Sequence, residues 1–182
     1  MKAHITIFFI LQCLISVSQN IETEKFQTDV IEKQLMSYDG VTAIASSIDS
    51  TWMEFNLTGL LETTGNSLTF KSFSSKDSIC LSKMERELII SFFQNADNLR
   101  LTHNPTQFAQ IEENMALKHL KVNSENQVIF ISKPLFIRDD SLGIVFYANL
   151  CCGQFYGYVN LSFYRIVSRT WTRWIDISSG AF

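Results

Sequence analysis

The strongest constraint on this chain lies in its last third, where β-branched and aromatic runs follow one another with almost nothing between them. Val128-Ile129-Phe130-Ile131, Leu135-Phe136-Ile137, Leu142 to Leu150, Tyr156 to Ile166 and Trp171 to Ile177 all have strand composition. Arg138-Asp139-Asp140-Ser141, Cys152-Gly153-Gln154 and Ser168-Arg169 separate the later runs. Parallel neighbours need a crossover of roughly a dozen residues or more, so gaps this short predict antiparallel pairing. Pro134 has no N–H to give to a ladder, which places its strand at an edge or at a bulge.

The helix signals lie upstream. Ser82 followed by Glu85 forms a capping box, and Leu81, Met84, Leu88, Ile89 and Phe92 make an apolar stripe that runs to Asn95, Asp97 and Asn98. That helix, around 82–95, is expected to lie across the sheet. Phe26, Val30, Ile31 and Leu35 recur at helical spacing between Glu22 and Tyr38, ahead of an Asp39-Gly40 turn. Between Val41 and Phe73 the pattern predicts two short strands, Thr51–Phe55 and Ser67–Phe70, broken by Gly59 and Thr64-Gly65-Asn66. Residues 106–120 fit a second helix or irregular structure. The fold class expected is a single α+β domain, with an antiparallel meander in the C-terminal half packed on one or two helices.

Residues 1–18 have the layout of a signal peptide: Lys2, an apolar run from Ile5 to Val17, and small residues Ser16 and Ser18 ahead of a cleavage point. Thr6 and Gln12 interrupt the run, which is shorter than the roughly 20 residues that span hydrocarbon. Gln12 before Cys13 does not fit a lipid attachment site, where a small residue precedes the cysteine. The organisation expected is a leader at 1–18 and one secreted domain at 19–182, periplasmic or associated with the cell envelope, with no integral membrane segment after processing. Apolar residues at 46%, including fifteen Phe against two Pro, describe a packed core. A formal net charge of −3 argues against nucleic acid or an anionic membrane surface as partner.

After processing three cysteines remain: Cys80, Cys151 and Cys152. An oxidising compartment favours a disulfide from Cys80 to one of the adjacent pair; the alternative is three small buried hydrophobes. His103 and His119 stand alone, without the spacing of a zinc site, and no cofactor is expected. A nucleophile pair such as Cys152 or Cys151 with His103 or His119 defines the rival enzyme class, a cysteine-dependent hydrolase. Asp139-Asp140 fits a hairpin tip and Glu112-Glu113 a solvated face. Arg165, Arg169 and Arg173 interleave with Tyr164, Trp171 and Trp174. The turn at Ser168-Arg169 breaks that run, and the two tryptophans fall on opposite faces of a strand, so at least one belongs to the core. Asn56-Leu57-Thr58 and Asn160-Leu161-Ser162 match the glycosylation acceptor pattern.

Ser132-Lys133-Pro134-Leu135-Phe136, Ile144-Val145-Phe146-Tyr147, Cys152-Gly153-Gln154-Phe155-Tyr156-Gly157, Trp171 and Trp174-Ile175 together resemble a family of small secreted bacterial proteins of unassigned activity. The resemblance covers residues 80–182. Its members carry a Cys-Gly-x-x-Cys-Gly turn, and Tyr156 stands here where that turn has its second cysteine, so no disulfide can close across it. The resemblance implies compartment and fold and leaves the chemistry open.

The function expected is a non-catalytic binding module. Tyr147, Tyr156, Tyr158 and Tyr164 on a curved sheet would suit a small ligand or peptide. Besides the hydrolase, the remaining alternative is an inhibitor or immunity-type protein that holds a protein partner by its sheet edge.

Overall fold

A computed structural model describes residues 23–26, 28–30, 41–47, 50–72, 75–100, 109–122, 126–151 and 156–181. In chain order the elements are β1 (Val41–Ala45), α1 (Ser50–Leu61), β2 (Ser67–Lys71), β3 (Ser78–Ser82), α2 (Lys83–Gln94), a 3-10 turn (Ala96–Leu99), β4 (Ala109–Ile111), α3 (Glu113–Val122), β5 (Gln127–Ile131), β6 (Leu135–Ile137), β7 (Leu142–Cys151), β8 (Tyr156–Val167) and β9 (Thr170–Ala181). Residues 23–26 and 28–30 are also helical, within the span predicted from Phe26 and Val30.

The principal sheet runs β4-β1-β5-β7-β8-β9, and β6 also pairs with β7. Its C-terminal half is the expected meander: β7, β8 and β9 are antiparallel neighbours joined in sequence order. Its other half was not foreseen, because β1 pairs parallel to both β4 and β5, and α3 lies in the chain between β4 and β5. The class is α+β, with a mixed sheet and a separate β2–β3 hairpin.

β7 is the axis of the sheet. Leu142 through Leu150 are all buried, as a near-continuous apolar run between covered faces requires. β5 and β6 lie end to end along it: Ile131 stands opposite Tyr147 and Leu135 opposite Ile144. At the break between them the Ser132 N–H donates to the Phe146 carbonyl at 2.9 Å, and the Phe146 N–H donates back to Ser132 Oγ at 3.0 Å. The side-chain oxygen fills a ladder position where the chain bulges past Pro134.

One sheet face carries the main core. Phe130, Ile144, Phe146, Val159, Leu161, Phe163 and Ile175 meet Met53, Leu57 and Leu60 of α1 and Ile89 and Phe93 of α2. The opposite face, with Ile129, Ile131, Val145, Tyr164 and Trp171, meets Phe26 and Val30. Trp171 and Trp174 thus pack on opposite sides. Trp174 and Ile177 are the extra residues of two bulges, where Phe163 faces Ile175 but Tyr164 faces Arg173, and Leu161 faces Ser178 but Ser162 faces Asp176. Both bulged side chains pack against the main core.

Two local expectations are corrected. Thr51–Phe55 lies inside α1 and forms no strand. Its β-leaning composition yields to the spacing of Met53, Leu57 and Leu60, whose burial against the sheet outweighs local propensity. The stripe on α2 is also rotated. Arg86, Ile89 and Phe93 are buried, whereas Met84 is 76% and Leu88 47% exposed.

Candidate functional site

The four tyrosines divide between two ends of the sheet. Tyr164 is 3% exposed, and its ring lies 5.4 Å from that of Phe26, under the N-terminal helical residues. Tyr147 is equally buried at 3%, with its ring 5.7 Å from Tyr158. Asn149 stands opposite Tyr158, donates weakly to Gln127 Oε1 at 3.5 Å, and has a buried Oδ1 with no hydrogen-bond partner among the described residues. Tyr156 pairs with Cys151 at that same end, and its side chain lies outside the described residues.

The long-range disulfide is not formed, and Cys80 is an exposed free thiol on β3. Geometry explains this. The Cys80 carbonyl accepts from Arg138 Nη2 at 2.7 Å, at the end of β7 that begins with Leu142. Cys151 closes the other end of β7, about 30 Å away at the rise of an extended strand, whereas a disulfide needs Cα atoms within about 7 Å. Cys80 is not a buried hydrophobe either. Cys152 and His103 lie outside the described residues, while His119 sits on α3 with its carbonyl accepting from Asn126 Nδ2 at 2.7 Å. Among the described residues no group of three or more His, Cys, Asp or Glu side chains is placed to hold a metal.

Three charged groups fasten elements together. Glu85 closes the capping box of α2, accepting from the Ser82 N–H at 2.8 Å while its own N–H donates to Ser82 Oγ at 3.2 Å. The Arg138 guanidinium then donates to Glu85 Oε1 at 2.7 Å. That hydrogen bond, helped by those from Ser82, holds the Glu85 carboxyl down at about 2. Asp77, in the β2–β3 turn, accepts from Trp174 Nε1 at 2.9 Å and Arg165 Nη2 at 3.0 Å, and the Arg165 guanidinium stacks 4.6 Å from the Trp174 ring. The Trp174 hydrogen bond is the main cause that lowers the Asp77 pKa. Arg86 reaches the end of α1, donating to the Thr63 carbonyl at 2.8 Å and to the Gly65 carbonyl. There it meets the partial negative charge of a helix C-terminus. Two of the three arginines that might have served a polyanion are engaged within the fold, Arg165 with Asp77 and Arg173 with Asp176 at 2.7 Å, while Arg169 is exposed in the β8–β9 turn.

Both glycosylation candidates are buried, Asn56 at 1% and Asn160 at 5% exposed. Asn56 Oδ1 accepts from Ser178 Oγ at 2.6 Å and so ties α1 to β9. Asp139 and Asp140 occupy a tight turn with φ of 52° and 58°, consistent with a hairpin tip.

Among the described residues, a concave feature lies between α1 and α2. A cleft of about 270 Å³ is lined by Met53, Glu54 and Leu57 from α1 and Phe93 and Gln94 from α2. Met53, Leu57 and Phe93 are buried and make an apolar floor, while Glu54 and Gln94 are exposed at the rim. The helices run antiparallel here, since Arg86 near the start of α2 reaches the chain just past the end of α1. The arrangement presents one carboxylate and one amide at the mouth of the cleft. It has no nucleophile paired with a base. The sequence held a signal for it in the helical spacing of Met53 and Leu57, masked by Thr51, Trp52 and Phe55 alongside.

No family model, no curated protein and no solved structure matches the chain.

Proposed function

We propose that this is an exported, non-catalytic binding module that holds a small amphiphilic ligand in the cleft between α1 and α2. The observation that carries the proposal is a cleft of about 270 Å³ at which Glu54 and Gln94 are exposed beside the buried side chains of Met53, Leu57 and Phe93, on a helix pair fixed to the sheet by Ile89, Phe93, Leu57 and the Asn56–Ser178 hydrogen bond. Such a site needs no lid or cofactor, only rigid walls. The test uses n-hexanol as a neutral probe in ligand-observed NMR. Saturable binding to the wild-type protein should disappear in Gln94→Trp, where an indole on an exposed rim position fills the cleft without disturbing the core. Equal binding to both proteins, with the variant equally stable, contradicts the proposal.

One feature favours a second reading, the inhibitor or immunity-type protein. β9 is a twelve-residue strand that pairs only with β8 among the described residues. Its start is already blocked, because the Trp171 N–H donates to Asp29 Oδ2 at 3.1 Å, and its two bulges twist the rest. A partner strand along β9 would protect its outward amides from hydrogen exchange, and unchanged exchange in the presence of a bound partner would rule this mode out.

A further inference from the structure

We propose that a neutral, polyhydroxylated ligand binds on the second face of the sheet, where one of its hydroxyls donates to Asn149 Oδ1. This site lies apart from the α1–α2 cleft and stands or falls independently of it. The strand register builds it. β7 runs against β8 without a shift, so Tyr147, Asn149 and Cys151 point to one face, with Ile129 and Tyr158 on either side of Asn149 in its row. Tyr147 and Ile129 belong to the second core cluster, which fixes that face as the one turned away from α1 and α2. Phe26 fills the other end of the face. Its ring is seated against Gly143 and Tyr164, six residues along the paired strands from Asn149 and Tyr158, or about 20 Å at the rise of an extended chain.

Asn149 is 5% exposed, its Nδ2 reaches Gln127 Oε1 only at 3.5 Å, and its Oδ1 has no partner among the described residues. An amide oxygen stripped of water and left unpaired destabilises a fold by more than a typical hydrogen bond stabilises it. A buried acceptor in this state is suited to a donor that the folded chain does not supply. The neighbours set the charge of that donor: Gln127, Tyr147, Cys151 and Tyr158 bring no carboxylate, ammonium or guanidinium, so an ion would lose its hydration without compensation. They also set its shape. The Tyr147 and Tyr158 rings stand 5.7 Å apart at 37°, an aromatic wall for the C–H face of a carbon skeleton, and half-buried Gln127, Cys151 and Tyr158 mark the mouth. Donating hydroxyls, no net charge and exposed C–H faces together describe a polyol or sugar.

The test has a binding arm and a stability arm, with D-glucose and glycerol as the probes, each titrated by NMR at neutral pH. At least one should bind the wild-type protein saturably and shift the Asn149 side-chain amide resonances, and its affinity should fall about ten-fold in Asn149→Leu. With no probe present, replacing the unpaired amide should raise the melting temperature by about 2 °C or more, in Asn149→Leu or in the smaller Asn149→Val. The more stable of the two variants decides, so that crowding by the larger side chain is not mistaken for a lost hydrogen bond. No rise in either variant would show that the fold itself satisfies the amide, and would overturn the proposal. Equal affinity in wild type and Asn149→Leu, or failure of both probes to bind, would overturn it as well.

Discussion

At the scale of single residues, Glu85 does the work of two contacts. It closes the capping box of α2 and receives Arg138 from the β6–β7 turn, so one carboxylate joins a helix start to a sheet corner. Because its folded-state pKa is depressed from 4.5 to about 2, its stabilisation is complete above the unfolded value and is lost as pH falls between those two points. The full shift overstates the energy at a site where Arg138 is 41% exposed, and screening leaves about 1 kcal/mol. Urea unfolding should show Glu85→Gln destabilised by about 1 kcal/mol at pH 7, with the ion pair lost and the capping box kept by a weaker neutral acceptor, and by much less at pH 2. A difference that does not shrink with acid would contradict this assignment. Asp77 follows the same sign, and Asp77→Asn should lower the melting temperature at neutral pH by loosening the β2–β3 hairpin from Trp174 and Arg165.

Gly143 shows why a residue that looks ordinary in sequence can be fixed by packing. A methyl group there would sit 2.5 Å from Cε2 of Phe26. That ring has no room to move, being fully buried with edge-on neighbours in Phe136, Tyr164 and Trp171 at 5.6, 5.4 and 5.0 Å. Gly143→Ala should cost about 1–3 kcal/mol through overpacking, and Phe26→Ala about 3–5 kcal/mol through the cavity it leaves. Combined, the two should be less destabilising than their sum, because each relieves the other; strict additivity in a double-mutant cycle would show that the ring is not seated on Gly143.

At the scale of elements, the turn between β8 and β9 is a place where sequence and geometry disagree. Ser168 and Arg169 both adopt left-handed backbone, with φ of 52° and 67°, in a two-residue hairpin loop that favours Asn-Gly. The twist of the long β8–β9 ladder imposes this conformation on them. Replacing the pair with Asn-Gly should stabilise the fold by about 1 kcal/mol and raise the melting temperature by roughly 2–4 °C, measured by circular dichroism. No gain would mean that the turn is not strained.

The same contrast sets what was legible in the sequence. The meander was visible because its strands are adjacent in the chain and its turns are short. α2 was visible because Ser82 and Glu85 announce its start, yet its buried face was misplaced, since Leu88-Ile89-Ile90 and Phe92-Phe93 are apolar around too much of the helix to mark one side. α1 was missed because Trp52, Phe55 and Gly59 hide the spacing of Met53, Leu57 and Leu60. The cleft was missed with it, for a site shared by two helices cannot be read when one of them is taken for a strand. The tyrosines read as polar aromatics suited to a ligand surface, and the fold places Tyr147 and Tyr164 in its interior.

At the scale of the molecule, the parallel β4-β1-β5 half could not be foreseen from local pattern. It joins Val41–Ala45 to Ala109–Ile111 and Gln127–Ile131, segments separated by most of the chain's helices, and only tertiary packing brings them together. The result is a sheet covered on one face by α1 and α2 and on the other by Phe26 and Val30, with the proposed cleft between the two helices. The proposed export is tested at this scale too. N-terminal sequencing of protein recovered from outside the cytoplasm should begin at Gln19, and a secreted form that retains Met1 would contradict processing after Ser18.

The most direct test of the account reads the floor of the cleft. With methyl-labelled methionine, Met53 reports from the buried floor, while Met84 and Met115, 76% and 48% exposed on α2 and α3, report from surfaces outside it. On titration with n-hexanol the Met53 methyl resonance should move saturably while those of Met84 and Met115 stay in place. A stationary Met53, or shifts confined to the exposed methionines, would contradict a binding site between α1 and α2.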